Sequence, residues 1–247
     1  MLFMMMHKTD AYYEAGGKPS QELIAAVGKM IGDMARNGRL LAGDGLGPSS
    51  QGARLQLAGG KRSVVPGPFA GGNELVAGFA VLRVQSLDEA VDRAAKLAAV
   101  IGAAEIDVRP ANEPWDIGLG PKPEGLTTRR FIAMYKATPQ SEAGGPSTTA
   151  QKEALGQLIG EMTQAGVLLA AASLEPSSKA VRLRNFGGKR TVVDGPFAES
   201  KELVGGFAIV ELDSRAEAVE WAQRYADVLG EVELDVRPVT AYSTFGR

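Results

Sequence analysis

A single offset of 128 residues lays the second half of this chain over the first. Glu14-Ala15-Gly16-Gly17 returns as Glu142-Ala143-Gly144-Gly145, and Pro48-Ser49-Ser50 as Pro176-Ser177-Ser178. Gly59-Gly60-Lys61-Arg62 returns as Gly187-Gly188-Lys189-Arg190, Gly67-Pro68-Phe69 as Gly195-Pro196-Phe197, and Asp107-Val108-Arg109-Pro110 as Asp235-Val236-Arg237-Pro238. Two copies of a unit this long are two domains rather than turns of a solenoid. The boundaries that follow are a first repeat over 1–110, a linker over 111–128 and a second repeat over 129–247. The linker carries three Pro and three Gly with almost no apolar periodicity.

Within each copy the hydrophobic period alternates between that of a strand and that of a helix. Short apolar runs at 2–8 and 130–136 read as a first strand. Leu23, Ile24, Val27, Met30, Ile31 and Met34 fall on one helical face, repeated by Leu155, Leu158, Ile159 and Met162. Each helix runs into a glycine, Gly38 or Gly166, where a left-handed residue is expected. Two short strands then flank Gly59-Gly60 and Gly187-Gly188, dipeptides suited to a tight hairpin. A fourth strand covers about 75–84 and 203–212. A second helix follows, with Val91, Ala94, Ala98 and Ile101 (Val219, Ala222, Ala226 and Leu229) on one face, and a last strand ends at Val108 or Val236. Ser86 and Ser214 stand at the N-cap positions, with Glu89 and Glu217 three residues on. The order is β-α-β-β-β-α-β, an α+β unit with both helices on one face of an antiparallel sheet.

Such a sheet leaves its other face bare, and Phe79, Val81, Phe207 and Ile209 are more apolar than a solvated face should carry. Packing the two copies sheet to sheet removes that surface from water, so that one chain makes internally what a single-copy relative would make by dimerising. The Met-rich start, Met4 to Met6, reads as adaptable core.

Charge and composition narrow the function. The 247 residues hold 27 Lys+Arg against 29 Asp+Glu, one His and no Cys. No basic stripe points to nucleic acid. Disulfides, thiolate metal sites and a Cys nucleophile are excluded, which fits a reducing, cytoplasmic setting. The apolar N-terminus stops at His7-Lys8, too short for a signal segment, and no stretch reaches the ~20 apolar residues of a membrane span. A lone His without Cys is a poor metal site, and no Gly-rich dinucleotide or phosphate loop occurs, so no metal or cofactor is expected.

Asp194-Gly195-Pro196-Phe197-Ala198-Glu199-Ser200-Lys201-Glu202 follows Gly187 to Val193 and precedes Gly205-Gly206-Phe207. The segment resembles the DGPF signature of the YCII-related family, and the resemblance spans both copies. Asp235-Val236-Arg237-Pro238 is similar to that family's closing strand, and Ala165-Gly166-Val167-Leu168 to its helix exit. The resemblance implies two ferredoxin-like repeats that join through their sheets as an intramolecular dimeric α+β barrel. It also implies a cleft suited to ligand binding or catalysis, with no established reaction. In the original YCII branch a His on the first helix, paired with an Asp, is the proposed dyad. Here the only histidine is His7, on the first strand and aligned with Tyr135, so no dyad carries over.

The residues themselves offer candidates. Asp194 and Glu199 sit with Lys201 around a Gly-Pro turn, where a carboxylate near another acid and a lysine could act as a base. The same segment reads equally as a turn held by Asp and a solvated loop. In the first copy Asp194, Glu199, Ser200 and Lys201 are replaced by Pro66, Gly71, Gly72 and Asn73, while Glu74 matches Glu202. The turn survives and its charges do not, so the second copy holds the complete candidate site. Arg182 or Lys201 would hold an anion, Ser177 would supply a hydroxyl, and Tyr135 would donate a proton or orient the ligand. Alternatively Arg54, Arg182, Arg109 and Arg237 each pair with an internal acid such as Glu74 or Glu202. Arg109 and Arg237 are also placed to bind an anion at the mouth. His7 and Tyr135 point polar tips into the cleft or simply pack, and Lys8 and Lys136 are expected in solvent. The expected partner is a small polar or anionic molecule. The competing class is a non-enzymatic interaction module.

Overall fold

A computed structural model describes residues 1–69, 74–145, 148–197 and 203–244. The first half runs β1 (Leu2–Lys8), α1 (Ala11–Glu14), α2 (Gln21–Arg36), β2 (Leu40–Gly45), β3 (Ala53–Ala58), β4 (Lys61–Pro66), β5 (Val76–Val84), α3 (Leu87–Ile101) and β6 (Glu105–Pro110). The second half repeats the order as β7 (Arg129–Lys136), α4 (Pro139–Glu142), α5 (Thr149–Gln164), β8 (Leu168–Leu174), β9 (Val181–Phe186), β10 (Lys189–Asp194), β11 (Val204–Glu211), α6 (Arg215–Leu229) and β12 (Val232–Thr244).

Local signals place most of these elements. Ser86 Oγ accepts from Glu89 N–H and Ser214 Oγ from Glu217 N–H, as the spacing predicts. Gly38 and Gly166 take φ of 68° and 67° where the long helices end, which an L side chain would resist. Gly59-Gly60 and Gly187-Gly188 have positive φ at both positions and close the two hairpins. β2 and β8 are additions to the sequence pattern. Leu40-Leu41-Ala42-Gly43-Asp44-Gly45 and Leu168-Leu169-Ala170-Ala171-Ala172-Ser173 are poor in β-branched residues and become strands because β11 and β5 pair with them.

The sheets do not coincide with the sequence halves. β1 pairs with β11 and β12, β2 with β11, β7 with β5 and β6, and β8 with β5, all antiparallel. One sheet is therefore ordered β4-β3-β6-β7-β5-β8 and the other β10-β9-β12-β1-β11-β2. Each half lends its opening strand-helix-strand to the other, and the helix pair on each sheet is likewise mixed, α3 with α5 and α2 with α6. The sequence pattern assigns both helices of a sheet to one copy. Exchange between repeats with the same residue pattern keeps the same contacts, so periodicity carries no trace of it. The two ladders meet where Val239–Thr244 of β12 runs beside β8, and at the corresponding place in the other half, where Leu46 bridges Ala111.

Three apolar layers result. α3 and α5 cover one sheet through Leu82, Ala94, Phe131 and Met162, and α2 and α6 cover the other through Phe3, Met5, Trp221 and Val236. Between the sheets lie Met4, Met6, Phe79, Val81, Ile132, Met134, Phe207 and Ile209. The four residues of the bare-face problem are thus buried together, with the Phe79 and Phe207 rings 4.7 Å apart. No helix is long and apolar enough to cross a membrane among the described residues.

Phe79→Ala and Phe207→Ala should each lower unfolding free energy by about 3–5 kcal/mol in denaturant titrations. The double variant should lose less than the sum by at least about 0.5 kcal/mol, because the two rings are in contact.

Candidate functional site

Strand alternation decides which polar groups enter the space between the sheets. In β1, Met4 and Met6 belong to the layer between the sheets and Phe3 and Met5 to the helix side. Lys8 continues the first series and His7 the second. In β7, Met134 and Lys136 share the inner series, while Ala133 and Tyr135 face the helices. Lys8 and Lys136 are accordingly buried rather than solvated, each 7% exposed.

Both lysines complete an ionic centre whose other members come from the opposite half. Asp107 is directly opposite Arg54 across the β3–β6 ladder, so their side chains share a face. Arg54 Nε and Nη2 donate to the two Asp107 oxygens at 2.6 and 2.9 Å, and Nη2 also reaches Glu74 Oε1 at 2.8 Å. Lys136 Nζ lies 2.7 Å from Asp107 Oδ2 and pairs with Glu74. The second centre repeats this. Arg182 Nε and Nη2 donate to Asp235 at 2.6 and 2.9 Å, Lys8 Nζ lies 3.2 Å from Asp235 Oδ2, and Glu233 stands 3.3 Å from Arg182 Nε. Burial would raise the Asp107 and Asp235 carboxyls. The Arg54 hydrogen bonds and the Lys136 charge at Asp107, and the Lys8 charge and Arg182 hydrogen bonds at Asp235, outweigh it and hold both below the ordinary carboxylate value.

The repeated motifs converge on these centres. The Phe69 ring lies 4.6 Å from the Arg54 guanidinium carbon and Phe197 4.3 Å from that of Arg182, which places an aromatic face on each buried cation. Gly67 and Gly195 bring the turn against the Ser49 and Ser177 carbonyl oxygens, where a Cβ would sit 1.8 and 1.7 Å away, so no other residue fits. Phe197 N–H donates to Ser177 Oγ at 3.3 Å. The Ser49 and Ser177 amides donate to Glu14 Oε2 and Glu142 Oε2, both at 2.9 Å. The same carboxylates accept from Arg109 at 2.7 Å and Arg237 at 3.2 Å. α1 and α4 each end on one of those two glutamates.

The candidates from sequence fare differently. Arg182 and Ser177 belong to the second centre. Glu199, Lys201 and Glu202 lie outside the described residues. Asp194 is exposed at the end of β10 and pairs with Arg215 at the start of α6. Tyr135 donates to the Ala172 carbonyl at 2.8 Å and is 3.2 Å from Ser173 Oγ, on the helix face of the other sheet, and burial raises its phenol. It is not brought to Asp194, because β7 and β10 belong to different sheets. Arg54 pairs with Glu74, the internal-acid alternative. Arg109 and Arg237 are not open to a ligand, since carbonyl oxygens and the two glutamates take their donors. His7 faces Tyr225, whose hydroxyl is 3.2 Å from Nδ1, rather than the space between the sheets. Lys8, Lys136, Asp107, Asp235 and the Phe197 ring were not singled out as a site. Carrying the alternation of Met4 and Met6 one step further, to Lys8, is the signal that finds them.

No group of three or more His, Cys, Asp or Glu suited to a metal occurs among the described residues. A groove of about 410 Å³ between α2 and α6 and another of about 550 Å³ beside α3 are open surface features that touch neither centre.

A family model described as the YCII-related domain matches residues 1–112 and again 130–239. An uncharacterized protein of Rhizobium meliloti (strain 1021) is 36% identical over 80 residues, 32% of this chain and 64% of the relative. The matched stretch therefore spans just under two thirds of that relative's length.

Two predictions follow from the burial of charge. Lys136→Met should cost about 3–5 kcal/mol in denaturant unfolding, since it strips a cation from two buried carboxylates. Burial, and secondarily the Lys8 charge, lower the His7 imidazole from 6.5 to about 4. Between those values the unfolded chain binds the proton and the folded chain does not, so stability falls as pH drops from 6.5 to 4 and the His7 contribution then levels off. His7→Gln should remove roughly 1–3 kcal/mol of that pH dependence, read from unfolding midpoints across the window.

Proposed function

This chain belongs to the YCII-related family, and we propose that it binds a small polar or anionic molecule at the inner-face charge centres, with that of the second copy as the principal site. The observation that carries this reading is the second centre itself, in which Arg182, Lys8 and Asp235 are buried together beneath the Phe197 ring. Buried ion clusters are poor stabilisers compared with apolar residues of the same volume, so two of them inside one small fold call for a purpose beyond stability. Guanidinium and ammonium donors side by side suit a carboxylate or phosphate, and the aromatic face suits a flat or apolar body attached to it. The second copy alone adds Asp194, Glu199 and Lys201 around this turn, where the first has Pro66, Gly71 and Asn73.

The frame for the site is an intramolecular α+β barrel. The ladder β2-β11-β1-β12-β8-β5-β7-β6 and the Leu46–Ala111 bridge between its two ends support a closed ring of eight strands, with the β3–β4 and β9–β10 hairpins as flanges. Absence of cysteine fits a reducing, cytoplasmic setting.

Binding is favoured over turnover. A general base works best with a pKa near the working pH, and Asp235 is held low. Asp194 is an exposed carboxylate paired with Arg215, and Tyr135 is a phenol raised by burial on the helix side.

Calorimetric titration with inorganic phosphate and with short mono- and dicarboxylates tests the reading. Arg182→Lys should weaken whichever of these binds by about tenfold, about 1.4 kcal/mol, while Arg54→Lys changes it little. Equal loss in both variants would move the site to both centres. Binding unaffected by Arg182→Lys, or no binding of any probe, removes the proposal.

A further inference from the structure

The edges of the two sheets are not equivalent. β4 and β10 each end a sheet, at the edge away from β8 and β2; each pairs with a single neighbour among the described residues, and every residue of both is exposed. Folded proteins rarely leave such an edge without protection. Both strands open with Lys-Arg, and β4 adds Pro66 as its last residue, whereas Asp194 stands at that place in β10.

The register shows which backbone groups each edge offers. The two-residue turn at Gly187-Gly188 makes Lys189 and Phe186 a hydrogen-bonded pair, and such pairs recur at every second residue. The Gly195 amide, which donates to the Ala180 carbonyl, confirms the phase. Lys189, Thr191 and Val193 therefore spend their amides and carbonyls on β9, while those of Arg190, Val192 and Asp194 point outward. In β4 the outward set is Arg62, Val64 and Pro66, fixed in the same way by the Gly67 amide on the Gly52 carbonyl. Pro66 has no amide to offer.

We infer that β10 is a self-association edge, on which a second copy of this chain pairs antiparallel about a two-fold axis through Val192. A two-fold normal to a sheet keeps its faces continuous, so directly opposed residues must share a face. With Val192 opposite Val192 of the second copy, Arg190 falls opposite Asp194 of the second copy and Asp194 opposite its Arg190. All three pairs use outward amides and carbonyls, and unlike charges oppose at both ends. On this face Arg190 already pairs with Asp227 and Asp194 with Arg215, both partners on α6. The new contacts link these into an alternating Asp227-Arg190-Asp194-Arg215 row on either side of the axis. Val192 and Val193, 46% and 45% exposed, lose water on opposite faces. The same operation on β4 would set Arg62 against Pro66, losing amides and countercharge together, so association is confined to one end and stops at a dimer.

Sedimentation equilibrium of the full chain between about 1 and 200 µM tests this. The expected result is a species of twice the 25.9 kDa chain mass. Val192→Pro removes an amide that the β9 ladder does not use and should weaken association at least tenfold, as should Val192→Lys, which leaves the backbone intact. Val64→Pro on the matching edge should leave association unchanged. Circular dichroism of each variant shows that the fold is retained. A monomer at all concentrations, a dimer untouched by both Val192 variants, or one lost through Val64→Pro overturns the inference. Ligand titrations play no part in the readout, so it stands or falls apart from the proposed binding function.

Discussion

A buried guanidinium must find acceptors for its five N–H donors, and Arg109 and Arg237 each find one on the opposite sheet. Arg109, on β6, donates from Nη1 to the Val204 carbonyl of β11 at 2.7 Å, and Arg237, on β12, donates to the Val76 carbonyl of β5 at 2.8 Å. Each also holds a carbonyl of its own half, Gly47 or Glu175, and the glutamate of a one-turn helix. Moving the sheets apart would orphan two cations at once, at a cost far above that of any exposed ion pair. The apolar layer of Phe79, Phe207, Ile132 and Ile209 pulls the sheets together without direction. The two arginines fix where they stop.

Much of this was legible from residues. The offset of 128 gave the duplication, glycine pairs gave the hairpins, and Ser86 and Ser214 gave helix starts, because these signals are local and do not depend on what the element packs against. The apolar alternation of Phe79 and Phe207 gave their burial for the same reason. Strand exchange was illegible: when two copies share their sequence, contact within a copy and contact between copies have the same residue pattern. β8 was illegible because an Ala-rich strand is made by its neighbours. Glu14 and Glu142 hid in four-residue helices too short to show a period, and their place beside Arg109 and Arg237 depends on a sequence separation of 95 residues.

The halves diverge where the exchange leaves unlike surroundings. Arg130 binds Glu113 and Asp44 in a largely buried cluster that holds the start of the linker against β2 and β7. The matching residues are Leu2, Ala241 and Ala172. In the second half the chain has no linker to anchor there and continues as β12 along β8. His7 and Tyr135 show the same coupling. His7 meets Tyr225 across the helix interface, whereas Tyr135 stands where the facing α3 residue is Leu97 and turns its hydroxyl back to the Ala172 carbonyl. Each polar substitution arrived with an acceptor or donor to satisfy it.

The ionic centres join these themes. Apolar residues in place of lysine and carboxylate together would serve burial equally well and would hold the register of β1 and β7 less sharply, because both faces of Phe3 to Met6 are apolar. An ammonium there permits one register only, the one that lands on Asp235 or Asp107, because a shift by one residue turns the lysine to the helix face and leaves the carboxylate short of a cation. In the exchanged fold the lysine comes from the other copy, since Asp107 sits beside β7 and Asp235 beside β1. Charge between the sheets thus fixes the register of β1 and β7, and it leaves the exchange itself undetermined, because Lys8 and Lys136 are equivalent positions of the two repeats. The same demand for a cation keeps guanidinium, ammonium and carboxylate gathered at one point under an aromatic ring.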